Sequence, residues 1–427
     1  MLHIKDTLIF SSEENKESSS NAQNSNVPEV VVLPGGLTLI FSINTNEKVS
    51  WEVCVRAGYA NSLADGYGLA HFVEHLLCRQ ADLPLPYKSL EDRSLSSLED
   101  FYFSAYTAPT CTVYRGTVPD YDVNSIIEML GKMFSNPSFK NIELEKNVCK
   151  TEVGKYIDDP WWELGLLESK ASFDIELNNK EDIVGKEVSL DTIKEFIKKH
   201  YTQSNMILYV EGNVNKDHLL KKIGKEFGSV SSKIAPFPNV ITWSPSLQIV
   251  KKDITEIYYT VIYNLPRKTL KDFLLTNLVN TLWEYVVFKD CDTPFYSLKG
   301  SSSHYYGLLT LKFSTHSLPE HFISLLEKIC GFPKRNLKEE CIERFNELKN
   351  HYADHLDKYY LSPVDTYVFF GGLTSKDQIK ALIKSITWED IESFNSYLSK
   401  QKPALAVYGN ISPKLSKQLE SFYSTLG

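Results

Sequence analysis

The chain has 427 residues, 42% of them hydrophobic and 23% charged, and this length predicts two or more globular domains. A formal net charge of −8 excludes the basic surface that binding to nucleic acid or anionic lipid would require. We expect neither a membrane span nor a secretory signal, because no apolar run is long enough and the N-terminus lacks the signal pattern.

The seven cysteines are scattered and form no Cys-x-x-Cys pair, a usage typical of buried thiols in a reducing compartment. The first arginine is Arg56 and acidic residues interrupt the early segment, so a mitochondrial transit peptide is not expected. These observations predict a cytoplasmic protein. Cys78 is expected to pack beneath the 71–75 segment, and the other cysteines are expected to be ordinary core residues.

Hydrophobic periodicity divides the first half of the chain into strands and helices after a polar lead over 1–27, whose composition predicts disorder. Alternating segments predict strands at 30–33, 37–43, 51–57, 101–106, 111–118 and 206–214, the fourth and fifth forming a hairpin. Helical periodicity predicts helices around 71–75 and at 122–135, 141–172 and 188–199. Residues 82–100 are expected to form a loop with a short helix.

A short repeat indicates that the second half follows the same plan. Residues 208–214 (LYVEGNV) match 405–411 (LAVYGNI) about half a chain length later, and a Lys-rich helical segment follows each copy. The Ser- and Pro-rich residues 231–247 between the halves predict a linker. The sequence therefore predicts a first domain over 28–230 and a homologous second domain over 248–427.

The most informative segment reads His71-Phe72-Val73-Glu74-His75. Two histidines four residues apart on a helix project from one face, which is the spacing that a single metal ion needs from two imidazoles. Glu74 reaches the same side, where it could take a proton from water at an open metal position. The alternative is a core helix whose histidines are satisfied by neighbours, but a buried carboxylate also needs a partner, which favours the metal site.

The run from Gly68 to Leu77 (GLAHFVEHLL) closely resembles the motif helix of the inverzincin peptidases. These form the pitrilysin and insulin-degrading enzyme family, which includes mitochondrial processing peptidase. The resemblance implies an α+β fold of two homologous domains, each a mostly antiparallel sheet packed with helices, and one zinc ion per chain. The residues it implies for the site are the zinc ligands His71, His75 and Glu152, the general base Glu74 and a supporting Glu145. A solvated helix carboxylate is the alternative for Glu152.

The resemblance also implies a substrate-binding strand. The family binds peptides along an edge strand with an Asn-Ala-x-Thr segment, so that the substrate adds a strand to the sheet. This chain has Ser104-Ala105-Tyr106-Thr107, which keeps the Ala and Thr and replaces the Asn. The backbone groups needed for strand addition survive this change, and an ordinary internal strand is the alternative.

The second domain departs from the family. Active members carry an Arg and, seven residues later, a Tyr that help to hold the scissile carbonyl, whereas this chain has Lys289 and Tyr296. Lys keeps the positive charge but lacks the planar guanidinium group with which Arg makes two parallel hydrogen bonds. No histidine occurs near Lys268, where the repeat would place a second metal motif, so the second domain is expected to be metal-free. The family's chamber needs four domains, and we therefore expect a heterodimer with a homologous metal-free partner, with a homodimer as the alternative.

These residues predict a zinc endopeptidase that cleaves peptides or leader segments held in extended form. Three alternatives stay open. One is a non-catalytic peptide-binding subunit of the same fold, which would have lost ligands that this chain retains. The others are a maturation protease subunit for a ribosomally made, modified peptide, and a non-hydrolytic metal or structural protein.

Overall fold

A computed structural model describes residues 28–62, 68–79, 102–156, 159–174, 188–233, 242–265, 269–289, 298–305, 308–356 and 362–426. The predicted disordered lead over 1–27, the predicted loop over 82–100 and Tyr296 lie outside these residues, as does the centre of the predicted linker. No helix among the described residues is both long and apolar enough to cross a bilayer.

The strands form two sheets. The first has the order β1-β2-β6-β3-β5-β4, and its neighbours are antiparallel except for β2 and β6. Its strands are β1 (Glu29–Val32), β2 (Thr38–Ile43), β3 (Lys48–Val55), β4 (Tyr102–Thr107), β5 (Thr112–Pro119) and β6 (Met206–Gly212). The second has the order β7-β11-β8-β10-β9, with only β7 and β11 parallel. Its strands are β7 (Leu247–Lys251), β8 (Ile257–Leu265), β9 (Leu298–Tyr305), β10 (Leu308–Ser317) and β11 (Ala404–Gly409).

Helices cover both sheets, as the α+β prediction requires. Those of the first half are α1 (Leu69–Cys78), α2 (Val123–Ser135), α3 (Ile142–Gly154), α4 (Pro160–Phe173), α5 (Leu190–His200) and α6 (Lys216–Glu226). Those of the second half are α7 (Leu270–Lys289), α8 (Pro319–Gly331), α9 (Lys338–Asp354), α10 (Pro363–Phe370), α11 (Lys376–Ser385), α12 (Trp388–Leu398) and α13 (Pro413–Ser424). The predicted mostly antiparallel α+β fold is thus confirmed.

The helical stretch predicted over 141–172 is divided into α3 and α4. Asp159 caps the second helix by accepting a hydrogen bond from the Trp161 amide (2.9 Å), and Pro160 occupies its first turn. Proline lacks an amide hydrogen and disfavours helical backbone in the residue before it, so a helix readily begins here and does not readily continue through.

The two halves share one plan, as the repeat predicted. β6 and β11 hold the same place, each parallel to one neighbour and antiparallel to the other. Each ends in a glycine of positive φ, Gly212 at 140° and Gly409 at 136°, a conformation that side chains with a Cβ rarely adopt. A helix follows each strand, α6 in the first half and α13 in the second. This correspondence confirms two homologous halves.

One helix of each half packs on the sheet of the other half. One face of each sheet packs on the helices of its own half. The opposite face of the first sheet meets α10, through Val364 against Ile207 and Tyr209. The opposite face of the second sheet meets α4, through Leu164 and Ala171. The predicted domain bounds stay a prediction, and this exchange of helices was not foreseen in them.

A buried ion pair anchors α4 on the second sheet. One carboxylate oxygen of Glu168 accepts a hydrogen bond from the Thr260 hydroxyl (2.8 Å), and the other accepts one from Lys312 Nζ (2.6 Å). The charges where α10 contacts the first sheet are less well compensated. There, two carboxylates, Glu52 on β3 and Asp365 on α10, both interact with Arg115 on β5. Burial and Asp365 raise the pKa of Glu52 to about 8.

Candidate metal centre

Helix α1 is buried around nearly its whole circumference. Leu69, Phe72 and Val73 pack into the core beneath the first sheet. The polar side chains of the motif are buried as well, with His71 7% and Glu74 6% exposed. Burial of ionisable groups costs free energy unless they are paired, so this stripe requires partners from elsewhere in the fold.

Helix α3 supplies these partners. Its residues Glu145, Cys149 and Glu152 are spaced by four and then three positions, which places them on one helical face. That helix packs against α1. Glu152 Oε2 lies 3.1 Å from His75 Nε2 and 3.9 Å from His71 Nε2. The structure therefore brings together two imidazoles from one helix and a carboxylate from another.

The donor set fits a zinc ion. Ligands about 2.0–2.2 Å from a tetrahedral zinc are separated by about 3.3–3.6 Å, and the two nitrogen–oxygen distances of 3.1 and 3.9 Å bracket that spacing. The rings of His71 and His75 stand nearly perpendicular, at 82°, with their centroids 4.7 Å apart. Two imidazole nitrogens and one carboxylate oxygen form a three-ligand set of the kind found in catalytic zinc sites.

Glu145 supports this group from the opposite side of His75. Its Oε2 lies 3.5 Å from His75 Nδ1, so the ring has one nitrogen toward Glu152 and the other toward Glu145. A carboxylate behind a liganding histidine fixes the orientation and tautomer of the ring. Glu145 is 2% exposed, and Arg79 Nε lies 3.7 Å from the same oxygen.

The titration of the two histidines differs. Burial lowers the pKa of His71 to about 4, and the neighbouring His75 adds to this effect. Burial alone would lower the pKa of His75 too, but hydrogen bonds with Cys149 and Glu152 raise it to about 10. The groups around His75, Cys149 first among them, thus favour its positively charged form, and a divalent cation supplies charge of the same sign.

Glu74 is held by the strand that the sequence predicted to bind substrate. Thr107, the last residue of β4, donates a hydrogen bond from its hydroxyl to Glu74 Oε2 at 2.7 Å. Burial raises the pKa of Glu74 to about 7, although the bond from Thr107 acts in the opposite direction. Sequence reasoning assigned Thr107 to the substrate and missed this contact, because it depends on how β4 lies over α1.

The predicted substrate segment 104–107 forms most of β4. Within the described part of the first sheet, β4 is the terminal strand and pairs only with β5. Ala105 packs toward the core that contains α1, whereas Tyr106 packs on the opposite face beside α10. Among the described strands the segment therefore lies at the edge of the sheet, and its outer backbone faces away from β5.

Of the predicted pair in the second half, the structure describes Lys289 alone. Lys289 is the last residue of α7, and its Nζ lies 3.2 Å from Glu340 Oε1 on α9. Tyr296 lies outside the described residues, so a joint role of the two stays a prediction. Cys78 packs against the first core, as expected. Cys149 was expected to be an ordinary core residue, and its place beside His75 was not foreseen.

Two family models match consecutive regions of the chain. The model described as Insulinase (Peptidase family M16) matches residues 38–170, and the Peptidase M16 inactive domain matches 187–330. The chain belongs to the M16 peptidase family. The first match contains all the residues gathered around His75, and the second begins beyond them.

Curated relatives are distant members of the same family. A probable mitochondrial-processing peptidase subunit beta of Arabidopsis thaliana is 26% identical over 213 residues, covering 48% of this chain and 39% of that protein. An uncharacterized zinc protease of Mycobacterium leprae is 24% identical over 257 residues, covering 56% of each chain. The aligned regions thus span less than two thirds of these relatives' lengths.

Solved structures show the same fold. A chain of complex III2 from Candida albicans superposes with a TM-score of 0.75 at 12% identity, covering 92% of this chain and 99% of that one. The first half of the periplasmic protease PqqL from Escherichia coli superposes with a TM-score of 0.68 at 17% identity, covering 93% of this chain and 97% of that one. M16 peptidases therefore share the architecture described for this chain.

Proposed function

We propose that this protein is a zinc-dependent endopeptidase with its hydrolytic centre between α1 and α3. The observation that carries the proposal is the approach of Glu152 Oε2 to Nε2 of both His71 and His75. These three residues would hold one zinc ion per chain. When bound, zinc lowers the pKa of water and polarises a substrate carbonyl. The names of several relatives as zinc proteases support the assignment.

Glu74 is the proposed general base. It lies on the same helix between the two histidines and is almost fully buried, so water does not screen its carboxylate. The Thr107 hydroxyl fixes one carboxylate oxygen and leaves the other for the proton of the attacking water. Glu74 then delivers that proton to the departing amine, as a general acid.

The edge of β4 is the proposed substrate-binding strand. An extended peptide can pair with the outer backbone of residues 104–107, because no strand in the described part of the sheet occupies it. Thr107 ends this strand and contacts Glu74 directly, so a peptide bound there lies beside the base. Extended pairing favours short peptides or unfolded leader segments over folded proteins.

The test combines metal content with cleavage in matched variants. We expect the purified protein, with any co-eluting chain retained, to contain one zinc per chain and to lose cleavage of an unfolded peptide after chelation. Glu74→Gln should keep the zinc and lower kcat by roughly 10²–10⁴-fold. Glu143→Gln is the control, because Glu143 is an exposed glutamate on α3 paired with Lys146. Absence of zinc would overturn the proposal, and normal cleavage by Glu74→Gln would overturn the assignment of the base.

We further propose that the active form is a heterodimer with a metal-free homologue. Two points support it. Relatives carry the name subunit beta. The sequence resemblance places Lys289 where active members have an Arg, and Lys does not replace Arg at a bidentate site. Mass measurement of the native complex should give two different chains in equal amounts. A complex of identical chains that cleaves peptide would contradict this prediction.

A further inference from the structure

One buried thiol lies within the candidate metal centre. Cys149 is placed on α3 one turn before Glu152, on the face that meets α1, and it is 1% exposed. Its sulfur and one ring nitrogen each of His71 and His75 lie within 4.8 Å of one another.

The chemistry of this group suits a metal. A zinc–sulfur bond of about 2.3 Å and a zinc–nitrogen bond of about 2.0–2.1 Å place the two ligand atoms about 3.6 Å apart in a tetrahedral site. The three ligand atoms already lie within 4.8 Å of one another, so a small side-chain rotation of Cys149 is enough to bring its sulfur to this separation. Among the free cysteines that the structure describes, only Cys149 belongs to such a group.

We propose that the Cys149 sulfur is a ligand of the metal ion in the resting protein, beside His71, His75 and Glu152. This inference rests on the proposed function, since it concerns the same site. Binding breaks the S–H bond, forms a sulfur–metal bond and releases the thiol proton to solvent. Four protein ligands close a tetrahedral site, whereas hydrolysis needs one open position, so the sulfur must leave before water can be activated.

The proposal changes what the site should bind. A set of two imidazoles and one carboxylate has no soft donor, and a thiolate gives it a preference for thiophilic ions such as Cd²⁺. Glu152 and Cys149 come from successive turns of one helix, so they reach the ion from the same side. The resting site is therefore expected to be tighter and less reactive than a site with three protein ligands.

Cobalt substitution tests this with a readout other than cleavage. The full chain is loaded with one Co²⁺, and its near-ultraviolet absorption is compared with that of Cys149→Ser, Cys149→Ala and the control Cys78→Ser. We expect a sulfur-to-cobalt charge-transfer band in the parent and in Cys78→Ser, and no band in either Cys149 variant. Two variants are used because serine retains an oxygen donor at this position, whereas alanine removes the donor.

The outcomes separate this inference from the proposed function. A parent protein that binds one Co²⁺ without the band, or a band that persists in Cys149→Ala, would overturn the thiolate ligand and leave the endopeptidase proposal standing. Failure to bind Co²⁺ at all would overturn both. As a second measurement, Cys149→Ala should weaken Cd²⁺ binding by about tenfold or more. Unchanged Cd²⁺ affinity would overturn the inference as well.

Discussion

The α1–α3 pair of the first half and the α7–α9 pair of the second hold equivalent places in the duplicated fold and have opposite chemistry. Between α1 and α3 lie imidazoles and carboxylates. At the second place, Trp283 on α7 stacks on Phe313, with ring centroids 4.3 Å apart, and packs 4.4 Å from Phe332. Helix α9 adds Phe345 and Leu348 to that core.

The difference shows that the two halves use equivalent helix pairs for different purposes. Buried titratable groups reduce stability, because each must be desolvated, whereas buried aromatic rings add to it. In the first half, ionisable side chains are buried between α1 and α3 at the proposed site of chemistry. At the equivalent place in the second half, a close-packed aromatic core takes the place of these polar side chains. Substitutions in the α7–α9 cluster should therefore mainly lower stability, and substitutions in the α1–α3 cluster should mainly lower catalysis.

The largest expected effect is in the second half. Trp283→Ala removes the centre of the aromatic cluster and should lower the free energy of unfolding by about 3–5 kcal/mol. Zinc content per folded chain should not change, because no metal ligand is proposed in that half. Urea unfolding and metal analysis of the same sample measure both quantities. Loss of zinc from the folded variant would break the division between the halves.

The second prediction concerns pH and the contact of α10 with the first sheet. The pKa of Glu52 is raised to about 8 and that of Asp365 to about 6, mainly by burial, so the folded protein retains protons that the unfolded chain releases. Stability is therefore greatest below the unfolded pKa values and falls as the pH rises toward 8. Glu52→Gln should flatten this dependence, measured by urea unfolding at about pH 5 and about pH 8.

The control is Glu47→Gln, at an exposed position just before β3, and it should behave like the parent protein. If Glu52→Gln loses stability toward pH 8 as steeply as the parent, the buried acids are not its source.

A smaller effect is expected at Thr107, in the first half. Thr107→Val keeps the shape of the side chain and removes the hydrogen bond to Glu74, so kcat should fall by about tenfold, or about 1.4 kcal/mol. KM for an unfolded peptide should change little, because the backbone of β4 is preserved. Thr107→Ser restores the hydroxyl and should recover most of the rate. An unchanged kcat in Thr107→Val would exclude a positioning role.

The smallest effect is on the stability of the first half itself. Glu74→Gln removes a buried carboxylate and keeps an acceptor for the Thr107 hydroxyl, so the metal-free protein should gain about 1 kcal/mol of unfolding free energy. Thermal unfolding in the presence of chelator measures this gain. A loss of stability would show that the charge of Glu74 is better compensated than the burial indicates.

The sequence alone was sufficient to predict those site residues whose arrangement follows from their spacing along one helix. His71, Glu74 and His75 share a face by helical geometry alone, and the resemblance then singled out Glu152. The repeat predicted the equivalent places of β6 and β11. These features depend on local periodicity, which a single sequence contains.

The remaining features depend on how distant elements meet. Cys149 lies one turn before Glu152, and this spacing was a signal that could have been used, but its contact with His75 needs the packing of α3 on α1. The bond from Thr107 to Glu74 needs the register of β4. The break between α3 and α4 could have been predicted from Asp159 and Pro160. The packing of α4 on the second sheet could not.

The exchange of α4 and α10 has a consequence for the two halves as separate polypeptides. Each fragment would leave one face of its own sheet bare and carry a helix whose apolar side, around Leu164 or Val364, has lost its counterpart. A chain severed after residue 233 should therefore yield pieces that aggregate when produced singly and reassemble when produced together. We therefore expect each half to need the other in order to fold.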